Sequence, residues 1–329
     1  MQVTLQHIRA ARDRIAGKVE RTPIVLSQNL SERLGGSVHL KLEHRQATGA
    51  FKLRGASNAI AALRPEKRSR GVVAASTGNH GRALAHAAKL EGMRAVICMS
   101  KLVPGNKLDA IRQLGAEVRI VGNSQDHAQQ EVDRLVAEDG LVMLPPFDHP
   151  DIVAGQGTLG LEIMEQVPDA TLVLVPLSGG GLAAGVAAAV KGMNPTAKVI
   201  GISMERGAAM KASLDAGRPV QVKELPTLAD SLGGGVGLDN QLTFAMCRDL
   251  LDDVILLSED EIAAGIRHAY DQEREIVEGA GAVGIGALLA GKVKSSGPVV
   301  LILSGGNIDM GLHRRIICGE APALTERAA

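Results

Sequence analysis

Aromatic side chains are almost missing: the 329 residues hold no tryptophan, one tyrosine and three phenylalanines. Stacking platforms for single-stranded nucleic acid and aromatic carbohydrate grooves are excluded on that ground. Neither sign of charge is in excess, with 36 Lys and Arg against 36 Asp and Glu, so the basic footprint of a nucleic-acid binder is missing too. No apolar run reaches the roughly 18 residues that cross a bilayer, so membrane insertion is not expected. Cysteine is scarce: Cys98, Cys247 and Cys318 stand far apart, with no CxxC and no His-rich metal pattern. That usage suits a reducing compartment. The amphipathic opening MQVTLQHIRAARDRI has no apolar signal core, and a cytoplasmic location is expected. Glycine is plentiful instead, at 39 residues, so the backbone itself is expected to do much of the binding.

Short β-branched runs alternate with longer amphipathic stretches. Segments 38–42, 71–76, 94–99, 116–121, 171–176, 197–202 and 298–303 read as buried strands, and helix-period segments lie at 79–91, 105–114, 124–138, 155–166, 181–191 and 258–271. The alternation predicts an α/β protein with open, mostly parallel sheets covered by helices, and no set of eight units that would close a barrel. At about 150 residues per domain the length predicts two domains. The run LeuProPro at 144–146 is the expected hinge. Three strand-to-helix turns carry polar or glycine clusters: SerThrGlyAsnHisGly (76–81), SerGlyGlyGly (178–181) and SerGlyGlyAsn (304–307). Ligands of open α/β sheets sit at the carboxyl ends of strands, so these loops are expected to wall one site.

Ser178-Gly179-Gly180-Gly181 opens a small-residue helix, and stacked glycines let backbone N–H groups approach an anion. It has neither the Walker lysine nor the GxGxxG spacing, so a phosphate cradle and a purely structural turn stand level on this motif alone. Upstream, Lys52 follows Phe51 at the start of a predicted helix. A lysine there is ordinarily solvated. The small neighbours Gly49, Ala50 and Gly55 suggest a crowded pocket instead, where desolvation would make its amine nucleophilic.

Taken together and in order, LysLeuGlu…GlyAlaPheLysLeuArgGly, SerThrGlyAsnHisGly, AlaGlyGlnGlyThr (154–158), SerGlyGlyGly and SerGlyGlyAsn resemble the fold-type-II pyridoxal-phosphate enzymes of the serine/threonine dehydratase and serine racemase group. The resemblance runs over nearly the whole chain and implies a tryptophan synthase β-like fold. It implies a large domain of residues 1–70 and 149–329, with a small mobile domain, 71–148, closing on substrate. ProProPheAspHisPro (145–150) leans to the threonine-dehydratase side, and the regulatory C-terminal domain of biosynthetic relatives is expected to be absent. A homo-oligomer is also implied.

By this resemblance Lys52 carries pyridoxal phosphate covalently and removes the substrate Cα proton, while Phe51 covers one face of the ring. Asn79 would meet the cofactor 3′-oxygen, and Ser178, Gly179, Gly180 and Gly181 would hold the 5′-phosphate. Ser304 would face the pyridine nitrogen; a hydroxyl there leaves the nitrogen neutral, which favours elimination over transamination. The carboxylate of an amino-acid substrate would meet Ser76, Thr77, Asn79 and His80 at a helix start. His80 has a plainer alternative as a buried hydrogen-bonding histidine, and Glu278 reads either as a group on the substrate side or as a helix-entry acid. The implied activity is elimination of water from a 3-hydroxy amino acid such as threonine or serine, giving a 2-oxo acid and ammonia. The alternative is a racemase in which Thr77 reprotonates Cα from the face opposite Lys52.

Some positions depart from the group. Ala50, Thr77 and Ser231 replace residues common in relatives, and the stretch 275–286 resembles dehydratases of hydroxyectoine utilisation, so a hydroxyectoine-derived substrate is a further expectation. The divalent-cation positions of racemase-type relatives read Ser203, Gly207 and Ala209 here, without either acid. No metal is expected, and the nearby Glu205 is expected to pair with Lys211.

Overall fold

A computed structural model describes residues 2–76, 78–101 and 105–320. Its strands are β1 (Ile24–Leu26), β2 (Val38–Lys41), β3 (Val72–Ala75), β4 (Ala95–Met99), β5 (Glu117–Ile120), β6 (Val142–Met143), β7 (Leu172–Pro176), β8 (Lys198–Met204), β9 (Asp253–Leu257) and β10 (Val299–Ile302). The helices are α1 (Leu5–Ile15), α2 (Gln28–Leu34), α3 (Lys52–Ala62), α4 (Pro65–Arg68), α5 (Asn79–Leu90), α6 (Gly105–Gln113) and α7 (Gln125–Glu138), followed by α8 (Pro150–Gln166), α9 (Gly181–Met193), α10 (Ala209–Ala216), α11 (Thr243–Leu250), α12 (Glu259–Asp271), α13 (Gly279–Leu289) and α14 (Met310–Ile317).

Two sheets result. One has the order β1-β2-β10-β7-β8-β9, parallel except for β1; the other, β5-β4-β3-β6, is parallel throughout. The α/β class with two mostly parallel sheets is as expected. AVICM of β4 and LVLVP of β7 are buried at every position, because interior parallel strands are covered on both faces. The 116–121 segment departs from its expected burial: β5 is an edge strand, with Glu117 and Ile120 exposed.

Parallel register decides where the loops go. β10 lies between β2 and β7, pairing Leu301 with Leu40 and with Leu174. The turns leaving β2, β7 and β10 therefore emerge at one end of the sheet, beyond the carboxyl ends of these strands, and they lead to Lys52, Ser178 and Ser304. The second sheet brings its β3 turn, Ser76 onward, toward the same place. Helix α3 links the layers: Leu53, Ala56, Ala59 and Ile60 share a core with Val72, Leu84 and Ile97, and α3 also packs on α8. Helix α8 in turn lies against α9 at contact so close that a Cβ at Gly185 would stand 2.4 Å from the Val153 carbonyl oxygen.

Candidate active site

The three expected loops meet around a cavity of about 210 Å³. Lys52 lines it from the first turn of α3. The last loop sets where that helix begins: Phe51 N–H donates to the Ser304 carbonyl at 3.0 Å, and Ala50 bridges to Gly305. Lys52 Nζ donates to the Pro146 carbonyl at 2.8 Å and lies 5.3 Å from the centre of the Phe51 ring. Burial lowers the amine to about 8, against an upward pull from Glu278. A larger share is therefore unprotonated near neutral pH than for a solvated lysine, which is the form a nucleophilic lysine uses.

The second wall is the glycine turn at the start of α9. A Cβ at Gly179 would come within 2.4 Å of the Phe147 ring, one at Gly180 within 2.8 Å of Met210 and 2.9 Å of Cys247, and one at Gly181 within 3.0 Å of Phe147. Gly180 is also left-handed, at φ 88°. A side chain at any of the three would press on these neighbours, and at Gly180 it would also be strained by the backbone. Such a turn at the N-terminus of a 13-residue helix offers main-chain N–H groups and a positive dipole end to the cavity. Ser304, buried behind the end of β10, lines the same cavity, with its Oγ 3.4 Å from the Ala280 carbonyl.

The family model described as "Pyridoxal-phosphate dependent enzyme" matches residues 15–305. The chain belongs to this family. Its cofactor is pyridoxal phosphate. A provisionally named threonine dehydratase of Sinorhizobium fredii is 65% identical over 98% of this chain and 98% of its own length. An L-threonine ammonia-lyase of Thermotoga maritima is 44% identical over 96% of this chain and 78% of its own. Among solved structures, maize serine racemase superposes with a TM-score of 0.91 at 35% identity, covering 97% of this chain and 98% of that one.

The residues present suit the pyridoxal-phosphate family cofactor. A desolvated amine, a side-chain-free turn for a phosphate and a buried hydroxyl all face one cavity. Phe51, Ser76, Asn79 and Ser178 line it as well, so the structure brings the expected residues together. Thr77 lies outside the described residues.

Two side chains are occupied in ways that the sequence did not specify. Burial, with Lys52 nearby, lowers His80 to about 4, and its Nε2–H donates to the Leu144 carbonyl at 2.8 Å. The plainer alternative thus describes its imidazole, and an anion at this end would meet main-chain N–H groups of the first turn of α5. Asn79 donates from Nδ2 to Glu278 Oε1 at 2.8 Å and accepts at Oδ1 from Asn307 Nδ2 at 2.7 Å. Arg82 donates to Asn307 Oδ1 at 3.1 Å, which ties α5 to the turn after β10. Glu278 is the N-cap residue of α13, without a side-chain cap bond, and is 4% exposed in the cavity wall, so its position is at once that of a helix-entry acid and of a group lining the site. Asn307, Arg82 and Phe147 had no assigned role; the signal for two of them was membership of the SerGlyGlyAsn and ProProPheAspHisPro motifs.

At the racemase cation positions, Ser203 ends up inside β8, Gly207 follows the strand and Ala209 opens α10. The expected partner of Lys211 is corrected: its Nζ bonds both oxygens of Asp215, at 2.6 and 2.7 Å, one helical turn on, as i,i+4 geometry favours.

Proposed function

We propose that this enzyme is a threonine/serine dehydratase, removing water from a 3-hydroxy amino acid to yield, after hydrolysis, a 2-oxo acid and ammonia. The observation that carries the reading is the pairing, in one cavity, of the Lys52 amine with Ser304, whose hydroxyl cannot protonate a ring nitrogen as a carboxylic acid would. Pyridoxal phosphate, when bound, supplies an electron sink for charge left at the substrate Cα. Lys52 would hold the cofactor, and once the substrate's own amine replaces it there, the released neutral amine of Lys52 would take the Cα proton. The first turn of α5, with Ser76 and Asn79, orients the substrate carboxylate. The turn Ser178 to Gly181 holds the phosphate, and Phe51 lies against the ring. Relatives named for threonine dehydration, over nearly the full length of this chain, support elimination over racemisation.

Residues 71–148 act in this proposal as a small lobe that closes over the substrate to exclude water. The enzyme works in the cytoplasm as a homo-oligomer. Ser231 and Leu232 line the cavity, and the hydroxyl that Ser231, one of the departures from the group, adds to its wall supports a substrate that is not simply serine, such as a hydroxyectoine-derived hydroxy amino acid.

The test is product analysis of the purified holoenzyme with threonine, serine and the hydroxyectoine-derived compound. A 2-oxo acid and ammonia in equal amounts are expected. Exchange of enantiomers without ammonia would overturn the assignment in favour of a racemase. Lys52→Ala is expected to lose both turnover and the peptide that borohydride reduction labels at position 52.

A further inference from the structure

Asp148 lies in the linker between β6 and α8, outside the cavity lining. Its carboxylate accepts three main-chain N–H groups from a distant segment: Gln241 N at 2.7 Å on Oδ2, and Leu242 N at 3.0 Å and Thr243 N at 2.9 Å on Oδ1. Those donors open α11, whose own N-cap residue, Leu242, has no side chain able to do this. Charge-assisted bonds to a helix N-terminus are among the stronger hydrogen bonds a surface carboxylate makes.

Both segments joined by this carboxylate press on the glycine turn. On one side Phe147, the residue before Asp148, occupies the space that side chains at Gly179 and Gly181 would need. On the other, α11 brings Cys247 and Thr243 to the position of a Cβ at Gly180, at 2.9 and 3.1 Å. One residue further back, the Pro146 carbonyl accepts from Lys52 Nζ. Three consecutive residues, 146 to 148, thus touch the lysine, wall the glycine turn and clamp the helix beneath it.

We infer that Asp148 is a positioning residue for this enzyme: it staples the two walls of the phosphate cradle together and, through Pro146, sets the place of the Lys52 amine. The inference rests on the proposed use of Ser178 to Gly181 as that cradle. The lost contacts are main-chain hydrogen bonds to a charged acceptor, so Asp148→Ala is expected to weaken pyridoxal-phosphate binding about tenfold or more. It is also expected to lower kcat more than it raises the KM for the amino acid. Asp148→Asn keeps one acceptor oxygen but turns a donor toward Gln241 N, and falls between.

The experiment compares equilibrium cofactor affinity, kcat, KM and melting temperature for both variants with Gly179→Val and with Ser124→Ala. Ser124 caps α7, away from the cavity, by accepting from His127 N. Ser124→Ala should lower the melting temperature and leave cofactor affinity unchanged. If Asp148→Ala behaves like Ser124→Ala, with lower melting temperature and unaltered affinity, the positioning role is overturned. If Gly179→Val keeps full affinity, the cradle itself is misassigned and the inference falls with it. Loss of affinity in Gly179→Val but not in Asp148→Ala removes the inference alone. Should the alanine variant fail to fold, the asparagine variant decides by the same comparison, wild-type affinity counting against the role.

Discussion

Lys52 sits where two opposing influences meet: burial lowers its amine to about 8, and the Glu278 carboxylate pulls it back up. Only the neutral amine attacks an aldehyde, so the rate at which cofactor-free protein takes up pyridoxal phosphate should rise with pH through about 8 and then level off. Glu278→Gln removes the upward pull while leaving an oxygen for Asn79, and the midpoint should fall. Stopped-flow uptake rates between pH 6 and 10 measure this; an unmoved or raised midpoint would separate Glu278 from the lysine. Much of this site was legible in residues. The order of five short motifs pointed to Lys52, the glycine turn and Ser304, because backbone chemistry at strand ends has to be written locally. The partners of Asn79 and the engagement of His80 by the Leu144 carbonyl were not legible. They depend on contacts between residues 64 to 228 positions apart, and nothing in the local pattern encodes them.

Elements were legible in proportion to their length and burial. The interior strands and long amphipathic helices match the expected segments closely, since a period of 2 or 3.6 needs several residues to declare itself. β1 and β6, three and two residues long, carry no such signal, and β5 reads as apolar while lying at an edge. Packing between elements was hidden as well. Helices α8 and α9 meet through Gly157, Gly160 and Gly185: side chains there would face the Gly185 carbonyl at 2.9 Å, the Val186 carbonyl at 2.9 Å and the Val153 carbonyl at 2.4 Å. Backbone cannot move aside as a flexible side chain can. Gly185→Val should therefore force the helices apart and cost about 3 kcal/mol, seen as a lower urea midpoint. Because α9 carries the glycine turn at its start, cofactor affinity should drop in the same variant. A fully stable Gly185→Val protein would show that the helix pair has slack.

At the scale of the whole molecule, a buried ionic cluster fastens helices α3 and α8 to the six-stranded sheet. Lys41 from the six-stranded sheet donates to Glu162 of α8 at 2.6 Å, and Arg54 of α3 bonds Glu43 through Nε and Nη2, each at 2.8 Å, and Glu162 through Nη1 and Nη2 at 2.7 and 2.9 Å. Thr22 adds a hydrogen bond to Glu43. Arg54 stands two residues after Lys52, so the cluster anchors the helix that presents the reactive amine. Burial alone would push the Glu43 carboxyl up, but Arg54 beside it, with Lys41 and Thr22, outweighs that and holds it below the usual carboxylate range. A carboxyl lowered by folding contributes stability at neutral pH and loses it as pH falls through its folded value. Arg54→Leu reverses the sign. It strands Glu43 in a dry site, desolvation then raises the carboxyl, and acid relieves the penalty by protonating it. The cost of Arg54→Leu should be about 3–5 kcal/mol at pH 7. As pH falls below about 4.5, wild type loses stability while the variant is spared, so the two should converge. Urea unfolding of cofactor-free wild type and variant at pH 7, 5 and 4 measures the gap. A gap that stays constant with pH would mean that the loss comes from packing and that the cluster's charges contribute nothing to holding α3 and α8 on the sheet.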